Sequence, residues 1–447
     1  MLRLLDEIGI EAGGHPLDLG ARRYGQVSAC DGTVIEVTGL SLPVGSLCRI
    51  ASGSKAGRRQ SHTAEVIGFR NGRTLMSLLG DAVLLRPGAF VHPEGRPGLL
   101  GVGRGFLGRA VDGTGTPIDG GAPVLTRNFW PSAGQRRGAL ERASVAEPFD
   151  CGIRAVNAAM TMGVGQRMGI VAGSGVGKSV LIDMIARNAS ADVVVLGLIG
   201  ERAREVSDFV GRHMQGDTAK RTALVAVPAD HAPNLRLRGA MLATSLAEYY
   251  REQGARVLLI LDSLTRVAHA AREIGLLLGE SGAARGYPPS ALAAITKLVE
   301  RAGNSASSGG SITGIYSVLA DGDDHNDPVV DTARAILDGH IVLSRDIAQG
   351  GRYPAIDVSA SLSRVMDDVV APEMVSDARA LRSMIAAYEA NRDLVLMGAY
   401  QPGRDARIDR AMAMHDTIED FLRQERGSCA PLGEVAHKLA GLIRHGQ

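Results

Sequence analysis

Aromatic side chains are scarce in this chain, with one Trp, seven Phe and eight Tyr among 447 residues. A barrel that reads single-stranded nucleic acid needs stacking rings beside a basic groove. Tyr24, Phe69 and Phe90 stand without interleaved basic residues, so no nucleic-acid partner is expected. Charge of one sign is lacking too. Lys and Arg number 49 and Asp and Glu 48, a formal charge of +1, which gives no global field to draw in polyanions. The four cysteines, Cys30, Cys48, Cys151 and Cys429, lie far apart without metal-ligand spacing, which suggests neither a zinc site nor a disulfide framework and suits a reducing cytosol. No apolar run approaches bilayer length, and Met1 to Glu11 mixes Leu and Ile with Asp6 and Glu7, unlike a signal peptide. The chain is therefore expected to be soluble and cytoplasmic. Tandem repeats and low-complexity segments are absent. Glycine is abundant, 57 residues, and with so few rings the core must be built from Leu, Val, Ile, Ala and Met.

The hydrophobic pattern changes period along the chain. Leu2, Leu4, Leu5, Ile8 and Ile10 form one face of a short helix ahead of Gly13-Gly14, a frayed terminus or a docking helix. From Tyr24 to Pro93 short alternating runs (25–29, 33–37, 47–50, 64–69, 74–79, 89–92) are separated by turn signals at Asp31-Gly32, Pro43-Val44-Gly45 and Asn71-Gly72, which predicts a small antiparallel barrel. Hairpin signals at Asp112-Gly113 and Asp119-Gly120 lead into a loop-rich stretch ending near Pro148. Strands are then expected at 168–172, 193–200, 223–228, 257–262, 312–319 and 341–343 with helices between, a βαβ series and hence a mostly parallel sheet. Beyond Met366 strands cease, and 374–392 and 407–425 read as amphipathic helices. The expected organisation is an N-terminal extension (1–20), a β-barrel domain (21–93), an α/β phosphate-loop core (94–366) and a helical domain (367–447).

Chemistry concentrates at Ala172-Gly173-Ser174-Gly175-Val176-Gly177-Lys178-Ser179, set between an apolar strand and a helix start. Such a loop turns backbone N–H groups onto phosphate oxygens, aided by the positive end of the helix that continues through Val180. Lys178 would reach the β- and γ-phosphates and Ser179 would ligate Mg²⁺. The first glycine of the strict pattern is replaced by Ala172, still small enough for the turn. Asp262 ends the apolar strand 256–262, where a carboxylate sits at the ligand edge of a parallel sheet and can hold Mg²⁺; a role beside Ser263 in capping the next helix stays open. Glu201 in Gly200-Glu201-Arg202-Ala203-Arg204-Glu205 follows strand 193–199 and is the candidate to align the attacking water, with Arg202 and Arg266 as candidate cations near the γ-phosphate. Helix-start surface pairing is the other reading of that acidic and basic run.

These motifs, with Gly286-Tyr-Pro-Pro-Ser290, Tyr353-Pro-Ala-Ile-Asp357 and Ser363-Arg364, resemble those of the hexameric rotary-type ATPases. Asn326-Asp-Pro-Val329, Asp331-Thr-Ala-Arg-Ala-Ile-Leu-Asp-Gly-His340 and Ile341-Val-Leu-Ser-Arg345 narrow the resemblance to the flagellar type III protein-export ATPases, from about residue 24 to the C-terminus. The resemblance implies a RecA-like ATPase core, ATP and Mg²⁺ as ligands, Tyr353 stacked on adenine, and Arg364 as an arginine finger inserted into the neighbouring subunit's site. It implies a homohexamer at the inner-membrane export apparatus, with a stator-like regulator at the N-terminus, a stalk protein, the export gate and chaperone–substrate complexes as partners. Cys151 and Asn157 depart from the Thr and Asp usual in relatives, a matter of packing rather than chemistry. Tyr400 is read as an adenine-pocket or helical-core residue. The alternatives are an injectisome ATPase of the same superfamily, a ring-shaped nucleic-acid translocase, and a non-catalytic ring subunit, which would lack Glu201. Because Glu201 and Arg364 occur in one chain, a homohexamer would hold a complete site at every interface.

Overall fold

Asn71 and Gly72 both adopt positive φ, 50° and 71°, the geometry of a tight hairpin turn whose twist matches its strands. That hairpin joins β4 (Arg58–Arg70) to β5 (Arg73–Leu78). With β1 (Gly25–Asp31), β2 (Val34–Thr38), β3 (Leu47–Lys55) and β6 (Phe90–Glu94) they close a barrel in the order β1-β2-β5-β4-β3-β6. Alternate residues point inward, so Val27, Ile35, Val37, Ile50, Val66, Met76 and Val91 fill the interior. The computed structural model describes residues 24–32, 34–55, 58–80, 85–135, 137–319 and 327–445. The expected N-terminal helix and Asn326 of the narrowing motif lie outside these residues. Residues up to Gly95 form one compact unit and those from Arg96 another.

The second unit is built on a sheet whose main path is β14-β13-β8-β12-β11-β9-β10-β7. In chain order these are β7 (Arg109–Val111), β8 (Arg167–Ala172), β9 (Val193–Ile199), β10 (Thr222–Val227), β11 (Arg256–Asp262), β12 (Ser311–Leu319), β13 (Gly339–Leu343) and β14 (Ile356–Ser363). The pairs along this path are parallel except β13–β14, which is antiparallel. Every residue of β9 and β10 is buried, as both faces of a parallel sheet require. The fold class therefore agrees with the sequence reading, with two additions. The hairpin signals follow β7: at the first the chain turns back on β7, with Val111 bridged antiparallel to Pro117, while β7 itself also joins the parallel sheet; three residues are too few for a period to show. The Tyr353–Arg364 motif contains β14, whose alternating apolar and polar residues suit an edge strand.

Helices cover the sheet: α1 (Arg154–Ala159), α2 (Lys178–Asn188), α3 (Ala203–His213), α4 (Pro233–Glu252), α5 (Leu264–Leu277), α6 (Pro289–Val299) and α7 (Pro328–Ile336). The C-terminal part is α8 (Pro372–Leu396), α9 (Ala406–Leu422) and a further helix, α10 (Leu432–His445), that the sequence reading did not name. Leu381, Met384, Ile418, Val435 and Leu439 share one apolar core with Phe149, Ile153 and the sheet. Polar links reinforce the junction. Gln424 donates to the Gly152 carbonyl at 2.9 Å, and Asn157 donates to Asp150 at 2.7 Å and to the Ala430 carbonyl at 3.0 Å. Cys151 lies in the same buried network, its thiol pushed up to about 12 chiefly by burial. Tyr400 bonds Asp409 at 2.9 Å at the start of α9, which makes it an anchor of the α8–α9 connection.

Candidate nucleotide-hydrolysis site

The loop between β8 and α2 has Gly175 and Gly177 at φ 81° and 94°, a left-handed backbone that side chains disfavour. Gly177 caps α2, so Lys178 and Ser179 open the helix at its positive end. β8 lies beside β12 and β13, whereas the next strand in sequence, β9, lies beyond β12 and β11. This reversal opens a crevice at the carboxyl ends of the strands, where α/β sheets bind ligands.

Three chain segments meet there. Lys178 Nζ donates to Glu201 Oε1 at 3.2 Å and to Asp262, whose Oδ1 also accepts from Ser317 at 2.5 Å. Ser179 donates to Glu205 at 3.4 Å. Asp262 ends β11 opposite Leu198 of β9, which brings its carboxylate level with the turn that carries Glu201. That turn needs Gly200. Its φ is 73°, and a Cβ there would come within 2.6 Å of Arg266 Cβ. Ser263, not Asp262, caps α5, accepting from the Arg266 amide at 3.3 Å.

Burial lowers the pKa of Lys178, but the facing charges of Asp262 and Glu201 outweigh it and the net shift is upward, keeping the ammonium charged. Glu201 is raised, first by burial and then by the Asp262 charge, with Lys178 opposing. A carboxylate held above its ordinary range can accept a proton or a water hydrogen bond more readily. A cleft of about 200 Å³ adjoins these groups, lined among others by Ser179, Val180, Glu201, Glu205, Asp262 and Arg426.

The remaining candidates divide. Tyr353, half exposed, lies on the β13–β14 connection, and a methyl on Gly177 would meet its ring at 3.7 Å, so the ring borders the phosphate loop. The stem of Arg266 packs beneath the Gly200–Glu201 turn. Arg202 is exposed at the start of α3. Gly173, Ser174 and Val176 complete the loop, Val176 packing into the core. Arg364 is not brought to this site. It follows β14 at Ser363, which pairs with Gly339, and Gly339 pairs with Met168 at the opposite edge of the sheet, about 13 Å along the strand from Ala172. Its Nη2 donates to the Arg334 carbonyl at 3.4 Å.

Residues 152–363 match the ATP synthase alpha/beta family nucleotide-binding domain, and residues 370–441 match the T3SS EscN ATPase C-terminal domain. A flagellum-specific ATP synthase of Pseudomonas aeruginosa is 45% identical over 416 residues, 93% of this chain and 92% of the relative. The chain belongs to the flagellum-specific ATP synthase and type III secretion ATPase family. This export-ATPase family carries ATP hydrolysis as its activity, so the acidic pair around Lys178 belongs to an enzyme and not to a passive ring subunit. The solved structure of the assembled ATPase EscN from the enteropathogenic E. coli type III secretion system is 36% identical, with a TM-score of 0.87 over 94% of this chain and 100% of that one. EscN in complex with its central stalk EscO is 35% identical, with a TM-score of 0.85 over the same shares.

Sequence reasoning did not assign Glu205 and Ser317 to the site. Glu205 was hidden in a run that also suits helix-surface pairing. Ser317 had one signal, a hydroxyl inside a buried apolar strand.

Proposed function

We propose that this chain is a Mg²⁺-dependent ATP hydrolase that acts as a homohexameric ring and energises export of flagellar proteins through the type III apparatus. The observation that carries the reading is the Lys178 ammonium shared by Glu201 and Asp262 at the mouth of the phosphate loop. A γ-phosphate competes for Lys178 with both carboxylates, and once Lys178 turns to phosphate Glu201 is released to hold a water. Glu201 then aligns that water, the loop amides and Lys178 hold the phosphates, and Tyr353 offers a ring face to the adenine. Arg202 and Arg266 flank Glu201 as further cations for the charge that spreads over the transferred phosphoryl group.

The residues present fit Mg²⁺. Ser179 and Asp262 offer two hard oxygen donors, and among the described residues no cluster of three acidic, His or Cys ligands forms a cage, which suits an ion carried in largely by phosphates and water. Bound there, Mg²⁺ neutralises phosphate charge.

Arg364, on the far edge of the sheet, serves a neighbouring copy in this reading, so each interface completes one reaction centre. The stalk follows by analogy with EscN and EscO; a stator-like regulator, the export gate and chaperone–substrate complexes follow from the flagellar assignment, as does a cytoplasmic ring peripheral to the inner membrane. No helix among the described residues is long and apolar enough to cross a membrane. The likeness to EscN favours an injectisome as the second reading, at lower identity than the flagellar relative.

The test is Glu201→Gln. It should bind ATP with wild-type affinity and lose at least about 100-fold in kcat, within the range that positioned acid–base groups supply; turnover within tenfold of wild type removes Glu201 from this role.

A further inference from the structure

Asp183, on the third residue position after Val180 and facing inward from α2, is a carboxylate that the phosphate-loop motif does not require. Its side chain is only 1% exposed, yet it collects donors from three parts of the chain. Oδ1 meets His213 Nε2 at 2.7 Å, Arg212 Nε at 3.2 Å and Arg187 Nη2 at 3.3 Å, and Oδ2 meets Arg426 Nη2 at 3.4 Å. Arg187 belongs to α2 itself, Arg212 and His213 close the last turn of α3, and Arg426 follows α9. Burial would raise the carboxyl, but the hydrogen bond to His213 and the charges of Arg187 and Arg212 outweigh it, so it sits at about 2 and stays ionised.

α3 needs such an anchor. It buries only Val206, Phe209 and His213, and its first turn follows directly on Glu201. His213 stacks on Phe209 with ring centroids 4.4 Å apart, and the Arg212 guanidinium lies 5.5 Å from the same ring. Arg212, Phe209 and Arg426 line the cleft that also holds Ser179, Glu201 and Asp262. One buried charge therefore ties the C-terminal end of the helix that follows Glu201, the helix of Lys178 and the segment after α9. Removing it would leave three guanidinium groups facing one another without a counter-charge.

We propose that Asp183 is a positioning residue for ATP hydrolysis: it fixes α3, and with it Glu201, against the phosphate-loop helix, and through Arg426 it makes that placement depend on the C-terminal helices. The inference rests on the role proposed for Glu201. Asp183 touches no reacting atom in this scheme, so its loss acts on kcat while the loop that binds ATP is left alone.

The experiment uses the full chain and steady-state ATPase kinetics with thermal unfolding in parallel. Asp183→Asn, equal in shape, should lower kcat about tenfold with KM for ATP within twofold of wild type. Arg426→Gln, whose side chain is half exposed and carries little folding risk, should lower kcat about threefold to fivefold. The double variant should be no slower than Asp183→Asn alone, since both remove one linkage. Asp183→Glu and Arg426→Lys should each restore part of the rate. A purely structural carboxylate would give the opposite pattern, a lowered unfolding midpoint with wild-type kcat for the folded enzyme, and that result overturns the proposal. So does wild-type kcat in Arg426→Gln, which decides the matter alone if Asp183→Asn does not fold. A Glu201→Gln enzyme that still turns over overturns the underlying site assignment instead, so the two failures are told apart.

Discussion

At the scale of single residues, Lys178, Glu201 and Asp262 place one ammonium between two carboxylates in a largely buried setting, and their protonation states follow from that arrangement. In the role proposed for it, Glu201 must be ionised to orient water. Since burial and Asp262 raise its pKa, log kcat/KM should climb with pH through a value above an ordinary glutamate's and then level. Lys178 is raised as well, so it should impose no basic limb below the ordinary lysine range. A pH–rate profile of the full chain checks both signs; an acidic limb in the ordinary glutamate range would contradict the environment described for Glu201. In the proposed reading Tyr353 offers a face rather than a hydroxyl to the nucleotide. Tyr353→Phe should keep KM for ATP within twofold, and Tyr353→Ala should raise it roughly tenfold, as loss of a stacking contact of about 1 kcal/mol or more would. Lys178 and Ser179 were legible because their motif is local. Ser317 was not, because only strand pairing brings it to Asp262.

Among elements, the junction between α1 and the C-terminal helices rests on a buried amide. Asn157 is fully buried, donates to Asp150 and the Ala430 carbonyl, and accepts from the Cys151 thiol at 3.3 Å. Asn157→Ala removes these partners without removing the groups they satisfied. It should cost about 2 kcal/mol of stability, the usual penalty for stranded buried polar groups, read as a lowered urea midpoint. Asn157→Asp would set a second carboxylate 2.7 Å from Asp150 in place of a donor and should lower the midpoint unless the pair takes up a proton. The period of the sequence identified the barrel strands, the buried parallel strands and the long helices α8 and α9. It missed β7, too short to show a period, and β14, whose motif drew attention to ligand contact rather than to pairing.

For the whole molecule, the separation of Arg364 from the phosphate loop across the sheet has a kinetic consequence. If the finger acts in trans, specific ATPase activity should rise steeply with protein concentration, because trans fingers are worth about 10³ to 10⁵ in rate. A flat dependence from dilute monomer to assembled ring would remove the shared-site reading. Mixing Arg364→Ala chains with Glu201→Gln chains should recover activity that neither has alone, since some interfaces then join an intact Glu201 to an intact Arg364.

The sequence alone determined the phosphate loop, the strand-end carboxylate, the alternation that dictates a parallel sheet and the family the chain resembles, because each depends on neighbours close along the chain or on a period. Only the tertiary structure decided that Lys178 lies between Glu201 and Asp262, that Tyr353 borders Gly177 and Arg364 does not approach it, and that Asp183 gathers cations from α2, α3 and the segment after α9. Those facts depend on strand order and register, which place residues distant in sequence within a hydrogen bond of one another or on opposite edges of one sheet.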